Sequence, residues 1–313
     1  MLPRIRMPGT SYRGPLPPLT PKEVGLRDAL RWDVDKLAGE IGERNIPRYP
    51  ALTAAAQFLE ASLVRNGYEV RRQGYGLAGV TCYNLDVEIH GSDRADEIVI
   101  IGAHYDSVEG SPGANDNATG AAAVLALARL LAGEKTSRTL RFVEFVNEEP
   151  PYFQSSVMGS VVYAKQCRQR GEKIVAMLSL ETIGYYADER GTQHYPFPFS
   201  LFYPSTGNFI GFVGNTLSAG LVRDVVASFR QHAEFPSEGG ALPGAIPGIG
   251  FSDQWAFWQE GYQGVMVTDT APFRYPYYHT REDTPDKVQY DHLARVVAGL
   301  EGVIGDIVGL IRE

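Results

Sequence analysis

One continuous apolar run constrains the fold more than any other feature of this chain. Residues 97–104 have the sequence Glu-Ile-Val-Ile-Ile-Gly-Ala-His, without the polar alternation of a strand that keeps one face in water. Such a run predicts a strand covered on both faces, which is typical of parallel sheets flanked by helices. The sequence therefore favours an α/β architecture.

Strand and helix patterns alternate along most of the 313 residues. Strands are predicted at 80–89, 97–104, 139–146, 174–180 and 264–268, and helices at 21–45, 51–66, 117–131, 155–170, 215–231 and 289–312. Thr20 is placed to cap the first helix, and Pro21 suits its first turn. This order predicts an α/β protein, a single α/β/α domain whose central sheet is mostly parallel (mixed) and has helices on both faces.

Two regions depart from this alternation. Residues 1–20 are rich in proline and are expected to run extended over a surface. Residues 21–313 are expected to form the domain itself, with an irregular insertion at about 188–250. The end of that segment, 239–250, holds five glycines and two prolines, which is loop chemistry.

Composition excludes several classes of partner. Lys and Arg number 29 and Asp and Glu 37, so the formal net charge is −8, which disfavours a nucleic-acid partner. The apolar stretch 121–132 contains Arg129 and is too short to cross a bilayer, so no membrane partner is expected. The start of the chain lacks the apolar core of a signal peptide. We therefore expect a cytoplasmic protein, although a secreted chain whose leader has been removed would have the same sequence.

Polar clusters follow the predicted strands, where open α/β sheets place their sites. These clusters are His104-Tyr-Asp106, Gly-Ala-Asn-Asp116-Asn, Glu148-Glu149, Glu181 and, far along the chain, Tyr-His279-Thr. Crowded carboxylates repel one another unless cations lie between them, and a pair of divalent metal ions would satisfy this requirement. Nitrogen and oxygen ligands without thiolates suit zinc, with manganese or cobalt as chemical alternatives.

In their order and spacing these motifs resemble those of the M28 metallopeptidases. This family comprises dinuclear-zinc aminopeptidases related to the leucyl aminopeptidase of marine vibrios and to glutamate carboxypeptidase II. The resemblance covers about Asn84 to Lys287. It implies that residues 21–313 form a zinc-peptidase domain. It also implies that two zinc ions per chain activate a shared water for the removal of N-terminal residues from peptides.

The resemblance also implies a role for each ligand residue. His104 would bind one zinc ion and His279 the other, and Asp116 would bridge both ions. Glu149 would be a ligand of the ion held by His279. Glu181 stands where the family usually has aspartate, as the second protein carboxylate on the ion held by His104, and its extra methylene lengthens its reach by about one carbon–carbon bond.

Two further residues would serve the reaction without binding metal. Glu148 would be the general base that accepts the proton of the water and returns it to the leaving amine. Asp106 would hold the ring of His104 from behind. A second departure from the family pattern is Gln254, where relatives often have histidine, and the preceding Asp253 would support the site from outside the ligand set.

Other functions remain open at this stage. A glutaminyl-peptide cyclase of the same fold would keep a single zinc ion and lack the first histidine, so His104 favours the peptidase. A non-catalytic binding homologue would have lost ligands, whereas here the ligand positions are filled. Hydrolysis of a non-peptide amide is a third alternative. The expected partner is a peptide or other amide substrate, and the sequence does not indicate an oligomeric state.

Each motif also has a plain structural explanation. Glu148-Glu149 alone would be a solvated strand end, and Asp116-Asn117 alone a helix cap. The glycines of 74–79 fit G-x-G-x-x-G, but a strand follows them instead of a helix, so a flexible turn is expected in place of a nucleotide site. Asn117 begins a glycosylation sequon, yet a glycan there would block the proposed metal ions.

Overall fold

A computed structural model describes residues 6–311 of the chain. Its strands are β1 (Arg71–Leu77), β2 (Val80–Ile89), β3 (Arg94–His104), β4 (Arg138–Phe145), β5 (Lys173–Glu181), β6 (Ile210–Gly214), β7 (Ser237–Ala241) and β8 (Gly264–Thr268). Its α-helices are α1 (Pro21–Val34), α2 (Tyr49–Arg65), α3 (Thr119–Leu130), α4 (Gly159–Gln169), α5 (Ala219–His232), α6 (Gln254–Gln259) and α7 (Tyr290–Val308). Asp35–Ile41 is π-helical, Ala114–Ala118 is an irregular turn whose backbone is not helical at Asp116 and Asn117, and short 3₁₀ turns lie at Ile46–Arg48, Phe199–Leu201, Ala271–Phe273 and Pro285–Lys287.

The eight strands form one mixed sheet in the order β1-β2-β4-β3-β5-β8-β6-β7. Strands β4, β3, β5 and β8 run parallel to one another, β2 joins β4 antiparallel, and β6 joins β8 antiparallel. The carboxyl ends of the four central strands therefore meet at one edge of the sheet. This architecture confirms the predicted fold class.

The apolar run of β3 is buried on both faces, as its sequence predicts. Val99 and Ile101 pack into a core that includes α1, α2, α3, α5 and α7. Ile98 and Ile100 point to the opposite face and pack with α4 and α6. Helices cover both sides of the sheet, and the polar residue that ends this strand lies at the edge of the core.

The first helix begins as the sequence predicts but ends earlier. The Thr20 hydroxyl accepts a hydrogen bond from the Glu23 amide, and the Glu23 carboxylate accepts one from the Thr20 amide, which together form a capping box. The α-helix continues after Val34 as a π-helical segment that stops before Gly42, whose φ is 77°. The closing helix α7 ends at Val308, and Arg312 of the predicted helix lies outside the described residues.

The glycine-rich segment near residue 74 is a strand, which corrects the expected flexible turn. Gly74 and Gly76 lie in β1 and pair with Tyr83 and Thr81 of β2. The turn consists only of Ala78 and Gly79, both at positive φ. The sequence pattern did not predict this strand, because its glycines interrupt the alternation of apolar and polar residues.

The segment 188–250 is more regular than its sequence suggests. It contains β6, β7 and the predicted helix α5, and β6 pairs with β8 of the central sheet. Strand β7 has the sequence Ser-Glu-Gly-Gly-Ala, which carries little strand signal of its own. These two strands extend the sheet beside the edge at which the polar clusters meet.

The described part of the N-terminal segment, residues 6–20, contains no helix or strand and lies against the domain. Arg230 donates to the Pro8 carbonyl, Arg223 donates to the Arg6 carbonyl, and the Ser237 amide donates to the Ser11 hydroxyl. Residues 1–5 lie outside the described residues. Within 6–311, no helix combines the length and the apolar character needed to cross a bilayer.

Candidate metal centre

The residues singled out from the sequence meet at the carboxyl edge of the central strands. His104 is the last residue of β3, and Glu181 is the last residue of β5. Glu148 and Glu149 follow β4, which lies next to β3. The parallel arrangement of these strands brings residues that are distant in sequence to one place.

Asp116 reaches the same edge through an irregular turn between β3 and α3. Gly113 opens this turn with a φ of 61°, and a Cβ at Gly113 would lie 2.3 Å from the Asp116 carbonyl oxygen, so only glycine fits. The peptide bond between Asp116 and Asn117 is cis. The Asn117 side chain accepts from the Gly120 amide and donates to the Leu180 carbonyl, so it caps α3 and ties the turn to β5.

The structure places Asn117 in the interior of the protein, where its side chain is fully buried. A glycan attached to this amide would have no route to solvent in the folded chain. The sequon at this position is therefore explained by the capping and bridging hydrogen bonds of Asn117. It does not indicate glycosylation of the folded protein.

Two groups of ligand atoms converge here, and Asp116 belongs to both. In the first, which we call the inner cluster, His104 Nε2 lies 3.5 Å from Asp116 Oδ1 and 3.3 Å from Glu181 Oε2. In the second, the outer cluster, His279 Nε2 lies 3.1 Å from Asp116 Oδ2 and 3.2 Å from Glu149 Oε2. The two oxygens of Asp116 thus face two different imidazoles.

Several of these atoms are buried without a hydrogen-bond partner. Both ring nitrogens of His104, Nε2 of His279 and Oδ2 of Asp116 have none among the described residues. Buried polar atoms are almost always paired, so such a group at one point indicates a binding site for a ligand. Donors about 2.1 Å from a tetrahedral ion lie about 3.4 Å from each other, which matches the separations in both clusters. The donor set and its spacing fit zinc.

The electrostatics of the site also call for cations. Burial and the adjacent Asp116 carboxylate together raise the pKa of Glu149 to about 8, although His279 and His104 oppose them. Burial likewise raises the pKa of Glu148 well above its ordinary range, and His104 only partly opposes this. Burial lowers the pKa of His279, but Asp116 and Glu149 outweigh burial and raise it to about 10. Without cations the site retains protons, so metal binding would release them.

Glu148 belongs to neither cluster but lies beside the inner one. Its Oε2 atom is 3.8 Å from His104 Nε2, and the residue is 6% exposed. Its backbone amide donates to Asp106 Oδ1, and the Glu149 amide donates to Asp106 Oδ2, each at 3.1 Å. Asp106 Oδ1 also lies 3.5 Å from His104 Nδ1. One buried carboxylate therefore positions the turn that carries both glutamates and faces the back of the His104 ring.

Glu181 has support that the sequence did not reveal. The Ser252 hydroxyl donates to Glu181 Oε2 at 2.5 Å and lies 2.9 Å from the Ser179 hydroxyl. Asp253 is fully buried near this point, and burial raises its pKa to about 7. The Gln254 side chain donates to the Ile249 carbonyl, so it serves the adjoining loop and belongs to neither cluster.

A further layer of buried polar residues fixes the Asp116 turn. Asp283 accepts hydrogen bonds from the backbone amides of Asn115 and Asp116, at 2.8 and 3.1 Å. Arg44 is also buried and donates to the carbonyls of Tyr105 and Gly113. No local sequence pattern marks Arg44 as part of the site, because it lies about sixty residues before the loop that it supports.

An open cavity lies next to the inner cluster. Its volume is about 110 Å³, and its walls are mostly apolar and aromatic. Glu181 of the inner cluster and Tyr278, which precedes His279, are among its lining residues. The cavity therefore adjoins the inner cluster and is a candidate site for a substrate side chain.

Sequence comparison relates most of this chain to one protein family and to several individual proteins. The family model described as Peptidase family M28 matches residues 84–303. The chain is 35% identical to "Uncharacterized protein YfbL" of Escherichia coli strain K12 over 292 residues, which cover 90% of this chain and 88% of that protein. It is 24% identical to "Leucine aminopeptidase 1" of Arthroderma otae over 66% of this chain and 54% of that protein. The chain thus spans about half the length of that aminopeptidase.

Solved structures share the fold at low sequence identity. A zinc aminopeptidase from Bacillus subtilis superposes with a TM-score of 0.69 and 16% identity, covering 90% of this chain and 95% of that one. A glutaminyl cyclase of Bacteroides thetaiotaomicron superposes with a TM-score of 0.68 and 16% identity, covering 89% and 97%. These similarities support the α/β fold with a mixed sheet.

Proposed function

The chain belongs to peptidase family M28, and from this membership and the two clusters we propose that it is a two-zinc aminopeptidase. The observation that carries the proposal is the position of Asp116, whose two oxygens face His104 on one side and His279 on the other. A carboxylate in this position can hold two ions at once. The aminopeptidases among the relatives and fold neighbours support the same assignment.

Each proposed ion has three protein ligands. His104, Asp116 and Glu181 would hold the inner ion, and Asp116, Glu149 and His279 the outer ion. When bound, two zinc ions acidify a water and polarise the scissile carbonyl. The residues of the chain then have to position the peptide and move the proton.

Glu148 is suited to move that proton. Its carboxylate is buried at the edge of the inner cluster and is not itself in either ligand set. Nearby cations would lower its raised pKa toward the range of a general base, by stabilising the carboxylate. In the proposed reaction a Glu148 oxygen takes a proton from the attacking water and delivers it to the nitrogen of the leaving amine. Asp106 keeps this carboxylate in place through the Glu148 and Glu149 amides.

A glutaminyl-peptide cyclase is the second candidate, because a cyclase shares the fold over most of both chains. Cyclisation in this fold would proceed with one ion, whereas the residues here provide two ligand sets. The presence of a complete inner cluster around His104 favours the peptidase. Hydrolysis of a non-peptide amide would use the same residues, and the choice of substrates in the experiment separates these reactions.

The test combines metal analysis with a substrate panel. The purified chain should contain about two zinc equivalents and should release p-nitroaniline from aminoacyl-p-nitroanilides. A chelator should abolish this activity, and added zinc should restore it. N-acetylated p-nitroanilides are the matched control, and they should resist cleavage because they lack the free amine. One zinc equivalent together with cyclisation of glutaminyl peptides would overturn the proposal in favour of the cyclase.

A further inference from the structure

The cavity beside the inner cluster has a carboxylate in its wall. Most of its lining is apolar or aromatic, including Phe199, Phe212 and Phe273. Glu238 also lines it, from strand β7 near the edge of the sheet. Glu238 is half-buried, so its carboxylate lies partly among these apolar groups, where a positively charged partner would stabilise it.

Glu238 lies in one cross-strand row with the inner cluster. Glu181 pairs with Thr268, Thr268 pairs with Gly211, and Gly211 pairs with Glu238. Paired residues point to the same face of a sheet, and all four residues of this row line the cavity. The row crosses three inter-strand steps, so the α-carbons of Glu181 and Glu238 lie about 14 Å apart.

Gly211 leaves the middle of this row open. It has no side chain between Thr268 and Glu238, and an added Cβ would approach the Thr268 carbonyl oxygen to 3.2 Å. One cavity is therefore lined by both Glu181 and Glu238.

The Glu238 carboxylate accepts no hydrogen bond and forms no salt bridge with residues 6–311. Arg230 and Arg13 lie near enough to oppose the rise that burial causes in its pKa, but neither forms an ion pair with it. Arg230 donates instead to the Ser237 hydroxyl, the Ser237 carbonyl and the Pro8 carbonyl. Ser237 precedes Glu238 in the strand and points to the opposite face.

Aromatic rings surround this end of the cavity. Tyr195 and Tyr203 stack with ring centroids 5.7 Å apart, and both line the cavity beside Glu238. The Tyr203 hydroxyl donates to the Gly239 carbonyl, which fixes its ring next to the strand. Aromatic faces attract cations as well as apolar groups. The walls thus suit an aliphatic stem, and the end of the cavity suits a positive charge.

We infer that this cavity binds the first side chain of the substrate and that Glu238 selects lysine or arginine at that position. The inference rests on the proposed aminopeptidase function and adds its substrate class. A lysine side chain extends about 6 Å from its α-carbon and a glutamate side chain about 5 Å, so together they span most of the distance of about 14 Å between a position next to Glu181 and the α-carbon of Glu238. The carboxylate then gains the ion pair that it does not form with residues 6–311.

The experiment compares lysine with norleucine, which has the same aliphatic stem but no ammonium group. With the zinc-loaded full chain, kcat/KM for the lysyl and arginyl p-nitroanilides should exceed that for the norleucyl compound by about tenfold or more, as expected for a hydrogen-bonded charge. Glu238→Gln should lower the lysine-to-norleucine ratio by about tenfold. Glu234→Gln is the matched control, since Glu234 is exposed four residues earlier, and it should keep the wild-type ratio.

Two results would overturn the inference. One is a wild-type enzyme that cleaves norleucyl or leucyl substrates as well as lysyl ones. The other is a lysine-to-norleucine ratio that Glu238→Gln leaves unchanged. If no p-nitroanilide is cleaved at all, the proposed function fails. Calorimetry with L-lysinamide and L-norleucinamide then tests separately whether the cavity prefers a lysine side chain. Tighter binding of L-lysinamide that Glu238→Gln removes would support the inference, and equal binding would overturn it.

Discussion

The inner and outer clusters share Asp116 but are built from different parts of the fold. The inner cluster takes His104 and Glu181 from the ends of two strands in the centre of the sheet. The outer cluster takes Glu149 from the turn after β4 and His279 from a loop between two short 3₁₀ turns. Strand ends are held by the sheet on both sides, whereas a loop is held only by its own contacts.

The inner cluster is also more deeply buried than the outer cluster. The His104 side chain is 1% exposed, and the His279 side chain is 29% exposed. His279 has a φ of 58° and stacks on the ring of Tyr278 with centroids 3.8 Å apart. Glu149 is held by the Val108 amide, which donates to its Oε1 at 3.2 Å. The outer cluster is thus closer to solvent, and none of its ligands comes from a strand.

This difference suggests a division of labour within one metal centre. A buried cluster with strand-borne ligands keeps its geometry, while a partly exposed, loop-borne cluster allows an ion to enter and leave. Glu148 lies beside the inner cluster, so the proposed general base is attached to the more rigid half. The following predictions test whether the two halves behave as differently as they are built.

The largest effect is expected from a residue that belongs to neither cluster. Glu148→Gln removes the proposed general base and should lower kcat by about 10²- to 10⁴-fold. Both clusters remain complete, so zinc content measured by mass spectrometry should stay at the wild-type value. Glu109→Gln is the control, since Glu109 is exposed on the loop after β3, and it should retain activity. A loss of zinc from Glu148→Gln would mean that Glu148 is a ligand.

Replacing each of the two histidines in turn should distinguish the inner cluster from the outer cluster. His279→Ala should reduce zinc by about one equivalent and leave the thermal midpoint of the remaining protein close to that of wild type. His104→Ala should also lose zinc but should lower the midpoint more, because it leaves Glu181 and Glu148 buried without the imidazole that faces them. His90→Ala, on a 77% exposed side chain, is the control. A larger drop for His279→Ala would reverse the proposed ranking of the clusters.

The sequence predicted the central sheet better than its margins. The patterns of β2, β3 and β8 predicted these strands to within three residues, because burial on one or both faces requires apolar residues at regular positions. Strands β1 and β7 have no such regular pattern, since each carries two glycines and little apolar alternation. Their positions depend on pairing with neighbours that the sequence does not identify.

The candidate site could likewise be predicted only in part from the sequence. The order of the motifs along the chain pointed to all seven predicted site residues, and the structure brings these seven residues together. Ser252 and Asp283 act through hydrogen bonds to ligands or to the turn that carries them, and they come from loops far away in sequence. No local pattern marks a hydroxyl that will donate to Glu181. Such supporting contacts depend on how loops close over the sheet, which local sequence does not determine.

The smallest predicted effect concerns one of these supporting contacts. Ser252→Ala removes the hydroxyl that donates to Glu181 Oε2, and with it the restraint on the longer carboxylate at this position. The affinity of the inner cluster for zinc should fall by about tenfold, as is common when a partner behind a ligand is lost, while the outer cluster should be unchanged. Competition with a chromophoric chelator measures both affinities. Ser156→Ala, on an exposed serine, should leave both at the wild-type value. Equal weakening of the two clusters would show that Ser252 supports the fold as a whole and does not position Glu181.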